Sequence, residues 1–207
     1  VPHPIYDMFK PTSLSKGEIR LKLRLPLDKP VILFFGFIRP YKGLNILIDT
    51  LDFIISKGQE VHLLIAGEFW EDRAKYDAQI KTAGLEKYVH IFDYFIPDDE
   101  AAEFFEAANL FVAPYTDGTQ SGAVKLALGF GLPIVVTDII SDPLIHEVPD
   151  LCQIVVANNC NALASGLINA IDSQRMDQDT MELLFNKSWQ NLVDNITQLN
   201  VTKENEF

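Results

Sequence analysis

Three short stretches carry groups suited to holding a phosphate or a base, and each follows an apolar run. The first, Gly36-Phe37-Ile38-Arg39-Pro40-Tyr41-Lys42-Gly43, sets two cations between glycines. Gly36 allows backbone to approach a ligand closely, and Arg39 and Lys42 could clamp a diphosphate. The second, Thr116-Asp117-Gly118-Thr119-Gln120-Ser121-Gly122, runs into a helical pattern. Free N–H groups at a helix start attract an anion, and small residues there admit its oxygens. The third, Asp93-Tyr94-Phe95-Ile96-Pro97, offers exposed backbone beside aromatics, which could read a nucleobase. Each stretch has a plainer reading: a solvated loop, capping by Thr119 or Ser121, and aromatic packing.

Acid–base chemistry is thinly provided. His62 and His90 lie in apolar strand patterns and read as packed histidines. His146 and Glu147 fall on the connection after the fifth strand and read as solvated loop residues, though a sugar could reach them. His3 belongs to no motif, and no Ser-His-Asp order, zinc spacing or close carboxylate pair stands out.

The elements that must position these stretches alternate in type. Apolar runs at 31–37, 61–66, 89–92, 110–113, 132–136 and 153–156 read as strands. Helical spacing is expected over 44–56, 71–83, 98–108, 120–130 and 162–171, with Asp98 as a cap. Such alternation predicts an α/β fold: a Rossmann-like parallel sheet of about six strands, helices on both faces, ligands at the C-terminal strand ends. Residues 1–29 carry Pro2, Pro4 and Pro11 and a short amphipathic helix at 15–24, and read as an interdomain connection. Residues 30–177 form the binding domain, and 178–207 read as two C-terminal helices, frayed at 203–207.

Composition narrows the class. The chain has 207 residues, 48% hydrophobic and 22% charged, enough for one domain with a substantial core. A net charge of −12 argues against nucleic acid as partner, yet one local cationic site can still hold a small anion. No apolar run approaches the roughly 18 residues of a membrane span, and no export leader is read. Cys152 and Cys160 lack metal spacing and fit free thiols in a reducing cytoplasm.

Taken in order, several segments resemble the C-terminal domain of family 4 glycosyltransferases of GT-B fold. They are Val31-Ile32-Leu33-Phe34-Phe35-Gly36 with Lys42-Gly43, then Leu64-Ile65-Ala66-Gly67. Ala108-Asn109-Leu110-Phe111-Val112-Ala113-Pro114 and Gly131-Leu132-Pro133-Ile134-Val135-Val136-Thr137 follow. Ser188-Trp189 is similar to the start of the last helix, which crosses back to the N-terminal domain, and Val1-Pro2-His3-Pro4 to the interdomain connection. The likeness spans nearly the whole chain.

The resemblance implies a retaining transferase that takes a nucleotide diphosphate sugar, with neither metal nor cofactor, and passes the sugar to a carbohydrate or lipid-linked acceptor. The acceptor would be held by an N-terminal domain, so this chain would bind donor and transfer little alone. Lys42 matches the diphosphate lysine. The family's arginine follows the glycine directly, where this chain has Phe37, and Arg39 stands two positions on. Gly36, Arg39, Lys42, Thr119, Gln120, Ser121 and Gly122 become the diphosphate set, and Gly67, Phe95, Ile96, Lys125 and Leu126 the base and ribose set. Two family glutamates separated by seven residues, for sugar and ribose, fall at Gly118 and Leu126, so both are absent. A cytoplasmic or peripheral inner-membrane enzyme of polysaccharide assembly is the implied setting. A degenerate interaction module and a nucleotide-sugar epimerase share the fold as alternatives.

Overall fold

The computed structural model describes residues 4–6, 12–118 and 120–204, with side chains up to residue 197. Val1 to His3, Pro11, Thr119 and 205–207, all named above, lie outside the described residues.

Six strands form one parallel sheet: β1 (Val31–Phe35), β2 (His62–Ala66), β3 (Val89–Phe92), β4 (Leu110–Ala113), β5 (Ile134–Thr137) and β6 (Cys152–Val155). Their spatial order is β3-β2-β1-β4-β5-β6. The chain therefore starts at the centre, winds outward to β3, then returns to lay β4 against β1. At that reversal the loops leaving β1 and β4 diverge and open a crevice, the usual ligand position in such sheets.

The strands read as continuous apolar runs because both faces are covered. Alternate residues serve two cores. Ile32, Phe34, Leu63, Ile65, Leu110 and Val112 point to one face, where α2 (Leu44–Ser56), α3 (Ala74–Thr82) and α7 (Cys160–Ala170) pack. Val31, Leu33, Leu64, Ala66, Phe111 and Ala113 point to the other, under α1 (Lys16–Lys22), α4 (Asp98–Ala107) and α5 (Gly122–Gly129). In α2 the buried set Leu44, Leu47, Ile48, Leu51 and Ile54 repeats at three- and four-residue steps and makes one apolar stripe. The acidic first turn of α4 (Asp98, Asp99, Glu100) sits where the helix dipole favours negative charge.

Several sequence expectations shift. β1 stops at Phe35 rather than 37 because Gly36, at φ +94°, turns the chain. Pro133 lacks an N–H, and β5 begins at Ile134 rather than 132. Asp72 accepts from the Ala74 N–H at 2.9 Å, delaying α3 from residue 71 to Ala74. Asp98 is the first residue of α4, and Pro97, not Asp98, holds the cap position. His146 and Glu147 end a short helix, α6 (Pro143–Glu147), instead of lying on a loop. The tail is one continuous helix, α8 (Gln178–Glu204), since nothing within it breaks hydrogen bonding. Ser188 and Trp189 thus lie mid-helix, with the Ser188 hydroxyl accepting from the Ile5 N–H at 3.1 Å.

Arg20 locks the base of the sheet. Its guanidinium is 4% exposed and donates to the carbonyls of Ala107, Pro26, Leu27 and Lys29 and to Asn109 Oδ1 at 2.6–3.2 Å. Asn109 Oδ1 also takes the Val31 N–H at 2.9 Å, joining α1, α4 and the starts of β1 and β4. Arg20→Met should cost about 3 kcal/mol in urea unfolding, because several buried carbonyls lose their donor. Lys22→Met, at a surface pair, should cost under about 0.5 kcal/mol.

Candidate functional site

The loops leaving β1 and β4 are tied at one point. The Tyr41 carbonyl accepts from the Thr116 N–H at 2.7 Å and from its hydroxyl at 3.2 Å. Thr137 of β5 donates to the Tyr115 carbonyl at 2.7 Å, fixing the exit of β4 as well. Pro40–Lys42 forms a single tight turn that points Lys42 back over the strand ends.

Lys42 is the best-placed cation. It is 8% exposed, and the only hydrogen bond of its ammonium among the described residues is a long one, 3.5 Å, to the Phe35 carbonyl. Its ammonium lies over Gly36, where a Cβ would stand 3.0 Å away, and 5.7 Å from the Tyr115 ring centre. Burial, then the nearby Arg39 charge, lowers its pKa to about 8. A buried ammonium so poorly paired is destabilised, and an anion placed there would relieve it.

Beside it, the start of α5 is half satisfied. Ser121 caps it by accepting from the Val124 N–H at 3.2 Å, and its hydroxyl pairs with the Tyr115 hydroxyl at 3.0 Å. The Gly122 and Ala123 amides take no partner among the described residues, as expected of a first helical turn. Gln120 is exposed, and Thr119 lies outside the described residues.

A cleft of about 170 Å³ opens between the ends of β1, β2 and β3 and the start of α4. Gly36, Gly67, Phe95, Ile96 and Leu126 line it together, with Phe35, Phe37, Glu68, Asp98 and Ala101. Gly67 is obligatory: at φ +145° its missing Cβ would collide with the Gly36 carbonyl. Drug-sized ligands occupy pockets of roughly 300–1,000 Å³. The cleft holds one moiety of such a ligand, and the remainder would extend toward Lys42.

Other expected residues are placed elsewhere. Arg39 does not line the cleft; its guanidinium stacks 4.3 Å from the centre of the Trp70 ring, which also packs against the Phe37 ring with centres 4.3 Å apart. Lys125 is turned away from the cleft. Its ammonium forms a buried pair with Asp142 at 2.7–2.8 Å, in a recess lined by Ser188, Asn191 and Asn195. Gly118, where the family has a glutamate, carries φ +88°, and the neighbouring Asp117 carboxylate folds onto its N–H at 2.7 Å. His62 and His90 pair at 3.1 Å near the N-terminal ends of their strands, far along the sheet from this edge. Burial lowers the pKa of both. His146 is exposed, and Glu147 pairs with Lys187 at 3.0 Å.

Residues 29–173 match the family of glycosyl transferases group 1. The chain belongs to that family. YtcC of Bacillus subtilis (strain 168) is 31% identical over 161 residues, which cover 74% of this chain and 38% of YtcC. Among solved structures, sucrose-phosphate synthase from Thermosynechococcus elongatus aligns with a TM-score of 0.77 at 19% identity, over 100% of this chain and 53% of that one. Anabaena Alr3699/HepE in complex with UDP and glucose aligns with a TM-score of 0.65 at 20% identity, over 92% and 56%. The chain thus spans well under half the length of its curated relative. The likeness to those structures is one of fold, which in this chain is a doubly wound parallel sheet. Among the described residues no helix is long and apolar enough to cross a membrane, and no group of three His, Cys, Asp or Glu could hold a metal.

Sequence reasoning missed Glu68, Trp70 and Asp98 as neighbours of this candidate site. Glu68 directly follows the strand-end Gly67, a position that topology alone marks as facing the crevice.

Lysine titration offers a direct check. In an NMR pH titration of the lysine side chains, Lys42 should show a midpoint near 8. Arg39→Gln removes a repelling charge and should move that midpoint upward.

Proposed function

We propose that this chain is the donor-binding half of a retaining glycosyltransferase that takes a nucleotide diphosphate sugar. The observation that carries the reading is the buried, weakly paired Lys42 ammonium between the α5 amides and the apolar cleft. A base in the cleft would leave its diphosphate reaching over Gly36 toward Lys42 and the Gly122 and Ala123 N–H groups. As the sugar departs, negative charge grows on the diphosphate, and fixed positive groups there lower the barrier. Arg39, parked on Trp70, would join by leaving that ring.

The acceptor, a carbohydrate or lipid-linked sugar, would approach from a second domain, in keeping with the 38% of YtcC that this chain covers. Assembly of surface polysaccharide in the cytoplasm or at the inner membrane face is the proposed setting. Neither a metal nor a cofactor enters the proposed chemistry. The residues at 118 and 126 favour one competing reading, an interaction module that lost its ligand, since neither is a carboxylate. Donor binding separates the two.

The test is calorimetric titration with UDP, GDP and ADP without added metal. One of them should bind saturably, and Lys42→Ala should weaken it ten- to hundredfold, roughly 1.4–2.8 kcal/mol. The pH dependence has a definite sign. A bound diphosphate favours protonated Lys42, so affinity should be level below about pH 8. Above that it should fall, by up to about tenfold per unit, as binding must take up a proton. Binding that ignores both the Lys42 substitution and pH, or no binding at all, would contradict the donor reading.

A further inference from the structure

The walls of the cleft carry chemistry that the diphosphate does not use. Its floor is apolar, formed by Phe35, Ile96, Ala101 and Leu126, yet two carboxylates, Glu68 and Asp98, stand on its rim. Among the described residues they are the only ionisable groups lining it. Glu68 is already engaged, accepting from the Trp70 indole N–H at 3.2 Å. Asp98, in the first turn of α4, makes no hydrogen bond or ion pair among the described residues. The Phe95 and Ile96 amides next to it take no backbone partner among the described residues either. Phe37 and Phe95, with ring centres 6.1 Å apart and planes inclined at 32°, offer aromatic surface at the mouth.

We propose that this rim selects a guanine base, with Asp98 as the specificity-determining residue. The inference rests on the donor-site reading above and names its nucleotide. A carboxylate presents two acceptors side by side and is best matched by two adjacent N–H donors. Guanine has such an edge, N1–H beside the 2-amino group, followed by the O6 acceptor that a backbone amide can meet. Uracil offers a single N3–H flanked by two carbonyls, one of which would face the second carboxylate oxygen. Adenine and cytosine each set one amino group beside a bare ring nitrogen, again acceptor against acceptor. A carboxylate that the bound base covers and leaves facing the wrong partner discriminates strongly, as sites built around hydrogen-bonded substrates do.

The experiment uses the intact chain and four probes: GDP, UDP, ADP and inosine diphosphate, which is GDP without its 2-amino group. Calorimetry should show GDP bound at least about tenfold tighter than UDP or ADP, and several-fold tighter than inosine diphosphate. Asp98→Asn should lower GDP affinity at least about tenfold and erase the difference between GDP and inosine diphosphate. UDP affinity should change less than about threefold. Asp98 is exposed at a helix start, so thermal unfolding should confirm that the variant keeps its fold. A preference for UDP or ADP that is lost on Lys42→Ala overturns the guanine assignment and leaves the donor site standing. A GDP preference that survives Asp98→Asn also overturns it. Failure of all four to bind, or binding indifferent to Lys42→Ala, overturns the donor reading and the assignment together.

Discussion

The paired hydrogen bonds from Thr116 to the Tyr41 carbonyl hold the site together. They join two loops that leave neighbouring strands and would otherwise diverge where the winding of the sheet reverses. With that join made, the Pro40–Lys42 turn is pinned above β1, and the Lys42 ammonium lies over Gly36. The start of α5 is held within the same group by Ser121 and Tyr115. A cation and two amides without a partner among the described residues are thereby gathered at one edge by backbone geometry and a few hydroxyl groups.

The sheet supplies the stiffness this requires. Each strand divides its side chains between two cores, so a one-residue slip in register would exchange the cores and expose neither. Arg20 and Asn109 anchor the opposite end, away from the ligand edge. The buried Lys125–Asp142 pair fixes α5 against α6 from behind. Isolated, either partner would be a costly buried charge; together they orient the helix whose first turn faces the cleft. Lys42 is the contrasting case, a buried cation with no carboxylate partner among the described residues, which the fold tolerates at the expense of a lowered pKa.

The fold was largely legible from sequence because strands buried on both faces declare themselves as unbroken apolar runs. All six appear; the largest shifts of an end fall where Gly36 turns and Pro133 withholds a donor, while β2 and β6 move by one residue. Helix α2 matched residue for residue, since its apolar stripe is complete and ends before a turn at Gly58. The tail was misjudged because no glycine or proline marks where two helices would part. Gly36 and Gly67 line the cleft and the Lys42 ammonium lies over Gly36, a placement that their position after strands suggests. Arg39 and Lys125 were not placed correctly: sequence shows a charge but not the Trp70 ring or the Asp142 carboxylate that captures it. Glu68 and Asp98 line the same cleft from different elements, an arrangement that only the folded sheet creates.

Amide chemical-shift mapping of the isotope-labelled chain, titrated with the nucleoside diphosphate it binds, tests the central claim most directly. The account predicts the largest changes at Gly36, Gly67, Ile96, Gly122 and Ala123, with the His62–His90 edge undisturbed. Changes confined to the recess of Asn191 and Asn195, or none anywhere, would contradict a donor site at the β1–β4 crevice.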